Sequence, residues 1–214
     1  MNWVVETFSS SVGKKLLMAV TGLGFVGFII VHLLGNLTLF AGREAFTAYV
    51  DKLHEYELLI IVAEIGLILL AVIHVATGFI LFFSNRSARE VRYAVKKSGS
   101  RRIVGPSVIM PYTGVIILVF VLFHLWNFSF ADLTDRTMYD VVTAAFSSAI
   151  YVAIYVVAVA AVGLHVQHGF WSLFQSLGLN HDKYMPALQA LSIILGISVG
   201  VGFALIPVYI GLTV

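Results

Sequence analysis

Five apolar runs, at about 15–40, 58–83, 108–130, 145–177 and 187–212, divide the chain. Each reaches or exceeds the roughly 20 residues that a helix needs to cross the hydrocarbon of a bilayer. In lipid, every backbone donor and acceptor must be satisfied inside the segment, so such runs fold as helices. The composition agrees: 60% of the 214 residues are hydrophobic and 11% are charged, where a soluble domain carries about a quarter charged. The expectation is an all-α polytopic membrane protein, five transmembrane helices in one bundle, forming a single domain over 1–214. The fourth run is over-long, and its polar end from Trp171 to Gln175 is expected to project past the hydrocarbon. The first run has no small-residue cleavage site after a short core and reads as a retained anchor.

Charge gives these spans a direction. Asn85 to Gly105 holds Arg86, Arg89, Arg92, Lys96, Lys97, Arg101 and Arg102 against the single acid Glu90, and Lys14 and Lys15 precede the first span. The opposite side carries Glu44, Asp51, Glu55 and Glu57, then Asp132, Asp135 and Asp140, with few basic residues. The Lys/Arg bias puts the N-terminus and the 84–105 segment in the cytoplasm and the C-terminus outside. A basic stretch flanked by two spans is topogenic, so no nucleic-acid partner is expected.

Four histidines, His32, His74, His124 and His165, sit one each on four different spans. An imidazole is costly in hydrocarbon unless it is bound to something, which makes each a functional-site candidate. At about 1.5 Å per residue, His32 and His124 lie roughly 25 and 24 Å from the cytoplasmic ends of their helices, and His74 and His165 roughly 14 and 18 Å. His32 therefore pairs with His124 near the outer face, and His74 with His165 nearer the cytoplasm. Two bis-His pairs stacked across a bilayer point to two b haems, with the four histidines as iron ligands. There is no cysteine, which excludes disulfides, thiolate-bound iron–sulfur clusters and covalent haem attachment. Gly35 follows His32 by three residues, and Gly78 and Gly169 follow His74 and His165 by four. Residues at that spacing share a helix face, so these glycines offer flat surfaces for a porphyrin; glycine also serves ordinary packing of membrane helices.

Several residues have competing readings. His168 lies three residues after His165 on the same face and is either a supporting partner or the alternative ligand. His54 and His181 fall in loops and read as solvated. Glu64, the acid deep in a span, lies ten residues before His74, near the level of the outer pair. It is either a protonated packing group or part of a proton and quinone site. Gly22, Gly24 and Gly27 mimic a dinucleotide-binding turn, but that motif needs a preceding strand and a later acid. Here the apolar run continues to Phe40, and the glycines read as a packing face.

The chain resembles, along essentially its whole length, the cytochrome b anchor of succinate:quinone oxidoreductases of the single-subunit, five-helix, di-haem b558 type. The matching stretches are Val31-His32-Leu33, Ile73-His74-Val75-Ala76-Thr77-Gly78, Phe123-His124-Leu125-Trp126 and Leu164 to Ser172. The resemblance implies a proximal haem on His74 and His165 and a distal haem on His32 and His124. It implies menaquinone chemistry at the distal end, with Glu64 resembling an acid found before the helix-two histidine. It also implies iron–sulfur and flavoprotein subunits on the cytoplasmic side of a bacterial inner membrane, docked on the basic segment and Asn180 to Met185, with the whole complex open to dimerisation. The dicarboxylate chemistry of a fumarate reductase or succinate dehydrogenase lies outside this chain, which has no soluble domain to hold it. Some family members carry a glutamate two residues before the helix-four histidine; here Gly163 stands there. Two alternatives remain open: the di-haem cytochrome subunit of a hydrogenase or formate dehydrogenase, and a non-redox transporter or scaffold.

Overall fold

The computed structural model describes residues 2–87 and 106–214. The basic segment from residue 88 to 105 lies outside the described residues. Eight α-helices are found among those described: α1 (Trp3–Ser9), α2 (Ser11–Asn36), α3 (Arg43–His54), α4 (Glu57–Ser87), α5 (Pro106–His124), α6 (Met138–Phe146), α7 (Ala149–Ser176) and α8 (Met185–Thr213). Five are long and apolar enough to cross a membrane, namely α2, α4, α5, α7 and α8. α4 exposes Leu58, Leu59, Val62, Ile65, Ile68, Leu69 and Val72 along its length, the surface of a helix that faces hydrocarbon.

The fourth span starts later than its apolar run. Ser147 ends α6 and Ser148 caps α7, so residues 145–148 belong to a surface helix and a turn. Hydroxyl side chains compete for backbone partners and favour such breaks. Glycine sets two other ends. Gly42, at φ +92°, stops the tightened turn of Leu37–Ala41 that follows α2 and starts α3. Gly178, at φ +81°, ends α7, where Leu179 N–H bonds Phe174 C=O at 2.9 Å, a glycine C-cap. His54 closes α3 instead of lying in a loop, although it is exposed; His181 does lie in the connection before α8.

α7 and α8 share the most extensive contact, and α2 packs on both α4 and α7. α5 packs on α7, while α4 and α5 touch over a few residues only. The α7–α8 crossing is close because glycines face it. A Cβ on Gly163 would stand 2.7 Å from the Gly196 carbonyl oxygen and 3.1 Å from Gly200 Cα.

The short helices α3 and α6 cover one end of the bundle. Phe46 from α3 and Val142 and Phe146 from α6 bury themselves among Leu39, Tyr155, Ile206 and Ile210. α6 begins with a reciprocal cap: Asp140 N–H bonds the Thr137 hydroxyl oxygen at 3.3 Å, and Thr137 N–H bonds the Asp140 carboxylate at 3.0 Å. Arg43 of α3 reaches the same carboxylate at 2.5 Å. The Arg43 contact first, and the Thr137 bonds after it, hold the Asp140 carboxyl far below its ordinary range. A depressed carboxylate contributes stability above its unfolded value near 3.9 and loses it as pH falls toward the folded value. The melting temperature of the wild type is therefore expected to exceed that of Asp140→Asn at pH 7. That gap should close as the pH falls below about 4 in a thermal series in detergent.

Candidate functional site

The folded chain gathers the four membrane histidines into two pairs, each spanning two helices. His74 of α4 faces His165 of α7 with ring centres 6.4 Å apart and planes 62° apart. His32 of α2 faces His124 of α5 at 5.9 Å and 88°. Two imidazoles that grip one metal ion from opposite sides, each at about 2.0–2.1 Å, have ring centres roughly 6.3 Å apart. Both pairs lie close to that spacing. All four rings are half-buried.

Hydrogen bonds orient the first pair. The Thr21 hydroxyl donates to Leu17 C=O at 2.7 Å, and its oxygen stands 2.9 Å from His74 Nδ1. The Thr113 hydroxyl has Met110 C=O at 3.1 Å and Ile109 C=O at 3.2 Å as acceptors, and its oxygen stands 3.1 Å from His165 Nδ1. A threonine hydroxyl has one proton; at Thr21 the shorter contact to Leu17 C=O takes it, while at Thr113 two helix carbonyls and the ring nitrogen stand at nearly equal distance. A metal bound at Nε2 of either ring would fix the remaining proton on Nδ1, which then donates to the threonine oxygen. The glycine after each threonine lies beside the ring: a Cβ on Gly22 or on Gly114 would be in ordinary contact, 3.6 Å from Cε1 of the facing histidine.

The second pair is held differently. Tyr155 OH lies 3.4 Å from His124 Nδ1. The Asn36 amide donates to the carbonyl of His32 at 2.8 Å and stands 3.4 Å from its Nε2. Phe28 stacks on His32 at 5.2 Å, and Phe120 and Phe128 flank His124. Immediately after His124 the chain widens into a π-helical turn over Leu125–Ser129, with Phe130 N–H bonding Leu125 C=O, a feature often found beside functional residues.

Helix counting places the pairs further apart than the depth estimate from span boundaries. Thr21, which touches His74, precedes His32 by eleven residues on α2, and Thr113 precedes His124 by eleven on α5. Eleven residues rise roughly 16 Å, so two levels about that far apart cross the bundle.

The donor set suits a haem. Among the described residues, no three His, Cys, Asp or Glu side chains converge on a point. A bare ion at either pair would thus find two protein ligands, fewer than zinc or copper sites use. A porphyrin brings four nitrogens of its own and leaves two axial positions for imidazoles.

Over 157 residues, 71% of this chain and 72% of the relative, the sequence is 29% identical to the succinate dehydrogenase cytochrome b558 subunit of Bacillus subtilis (strain 168). The match supports that family: membrane cytochrome b subunits of the succinate dehydrogenase type. No family model and no solved structure matches the chain.

Other residues singled out in the sequence fall into distinct places in this bundle. His165 is the ring that faces His74; His168 is buried further along α7 with Trp171 edge-on at 5.0 Å. Glu64 is exposed on α4. It holds there the register that Tyr155 holds on α7, ten residues before the histidine. Beside Gly35 stands Tyr49, whose ring a Cβ would strike, so this glycine seats α3 against α2. A Cβ on Gly78 would come within 3.3 Å of the Met18 methyl, and one on Gly169 would meet nothing within 4 Å. Gly163 is filled from behind by α8, which explains why no carboxylate side chain can occupy that position in this bundle.

Sequence reasoning missed Thr21, Thr113, Tyr155 and Asn36. A signal for the threonines was present as an internal repeat. Met18-x-x-Thr21-Gly22, Phe28 and His32-Leu33 recur 92 residues later as Met110-x-x-Thr113-Gly114, Phe120 and His124-Leu125. His74-Val75-x-x-Gly78-Phe79-x-x-x-Phe83 recurs 91 residues later as His165-Val166-x-x-Gly169-Phe170-x-x-x-Phe174. Each hairpin thus contributes a threonine, two glycines and two histidines, with spacings that agree to within one residue.

Proposed function

We propose that this chain is the quinone-reactive membrane anchor of a succinate:quinone oxidoreductase, either a succinate dehydrogenase or a quinol:fumarate reductase. In it, His74 and His165 hold one b haem, and His32 and His124 hold a second. The observation that carries the reading is the meeting of four histidines, from four helices, as two pairs at bis-imidazole spacing. Each bound haem supplies reversible one-electron chemistry, tuned by axial ligand, burial and hydrogen bonds. The protein's part is to fix both imidazoles of a pair, engage Nδ1 of His74 and His165 through Thr21 and Thr113, and seal the His32–His124 end with Phe46 and Phe146.

Quinone chemistry belongs at the His32–His124 end, with menaquinone as the substrate. Oxidation of the hydroquinone releases two electrons and two protons, and Glu64 is the carboxylate at that level of α4 able to take a proton. The two electrons leave for an iron–sulfur subunit and then a flavoprotein subunit on the cytoplasmic side. The charge bias supports that side as the one bearing the N-terminus, the 84–105 segment and Asn180 to Met185, with the C-terminus periplasmic.

The test uses membranes that contain the assembled complex. Succinate, or a menaquinol analogue, is expected to reduce a b-type absorbance band assigned to this chain, and fumarate to reoxidise it. A complex that oxidises succinate with an artificial acceptor while that band stays silent would rule the reading out. Hydrogen- or formate-dependent reduction in its place would assign the chain to a hydrogenase or formate dehydrogenase; no haem at all would leave a transporter or scaffold.

A further inference from the structure

We infer that Thr21 and Thr113 are positioning residues that set the reduction potential of the group held by His74 and His165, each by accepting a hydrogen bond from the Nδ1–H of its histidine. This rests on the reading that a haem sits between those two imidazoles. Two separate instances carry it. On two helices a threonine with its own helix carbonyls within hydrogen-bond distance presents its oxygen to a ring nitrogen, at 2.9 Å and at 3.1 Å, and a haem bound at Nε2 makes that nitrogen the donor. In both, the next residue is glycine, with the same 3.6 Å clearance to the ring.

The chemistry follows from the direction of the bond. An imidazole that donates from Nδ1 to an acceptor is more electron-rich at Nε2 and favours the oxidised, more positive metal. The low local dielectric inside a bundle of membrane helices strengthens the effect. Both histidines of this pair have the bond. In the other pair the corresponding contact is a 3.4 Å approach of Tyr155 to His124 alone. The threonines therefore act on one haem only, and removing them should shift it toward reduction.

The experiment compares the full chain in its complex with Thr21→Val, Thr113→Val and the matching serine variants, by redox titration of each haem and by electron paramagnetic resonance of the oxidised low-spin signals. Valine keeps the shape and loses the acceptor; serine keeps the acceptor. Each valine variant should favour reduction of the His74–His165 haem by about tenfold, equivalent to about 59 mV for one electron. The other haem should stay unchanged and serine should restore the wild-type value. If a valine variant loses that haem altogether, retention in the serine variant supports the inference and loss in both overturns it. Equal potentials in wild type and valine variants, with both haems kept, also overturn it. A wild type without two low-spin signals contradicts the haem reading itself, a result distinct from either.

Discussion

His165→Ala is expected to leave the purified protein with one b haem where the wild type has two, and His168→Ala is expected to leave both. The His165 ring faces His74 at bis-imidazole spacing and has its Nδ1 3.1 Å from the Thr113 hydroxyl oxygen. Removing it leaves one imidazole for the iron, and no other described histidine is paired with His74. His168 is buried beside Trp171, so its replacement costs packing, roughly 1–3 kcal/mol, with the pair intact. A haem assay read together with the low-spin spectrum distinguishes the two variants. One haem in His168→Ala and two in His165→Ala would reverse the assignment.

Gly163→Glu, which installs the residue carried by some members of the resembled family, should displace α8. The new Cβ would meet the Gly196 carbonyl oxygen at 2.7 Å, and that atom is helix backbone, which cannot step aside as a side-chain tip can. Overpacking of this kind costs about 3 kcal/mol, and burying a carboxylate in the crossing adds to it. Gly163→Ala and Gly196→Ala should show the steric part alone. Gly200→Ala is the control on the same interface, because its Cβ would meet only ordinary contacts at 3.6 Å. Thermal unfolding in detergent should rank wild type and Gly200→Ala together, then the other alanine variants, then Gly163→Glu. A Gly163→Glu protein as stable as the wild type would show that α8 does not sit where the glycines put it.

Much of this arrangement could be read before any coordinates. The spans are legible because lipid removes every alternative to a helix, and their ends fall within a few residues of the apolar runs at α2, α4, α5 and α8. The four histidines stand out because an imidazole is costly at that depth unless it is bound to something. What escaped was set by local competition and by contact. α3 and α6 are short, and only their inward faces, Phe46 on one and Val142 and Phe146 on the other, show what they cover. The break at Ser147 and Ser148 is only two residues long and lies inside an otherwise apolar run. Thr21 and Thr113 look ordinary one at a time, since a threonine in a membrane helix commonly bonds its own carbonyl four residues back. Their second contact, to a histidine 53 or 52 residues away, shows in the sequence only through the repeat of both hairpins. Gly35 and Gly169 have the same spacing logic, yet one meets Tyr49 and the other meets nothing near. Spacing gives the face of a helix and says nothing of which neighbour arrives there.

The most direct measurement is the haem content of the purified protein, taken as haem b per chain together with the oxidised low-spin spectrum. Two haems per chain, both low-spin with bis-imidazole signatures, are predicted. A chain that folds with its five helices intact but binds no haem, or only one in the wild type, would contradict the assignment of two histidine pairs to two b haems.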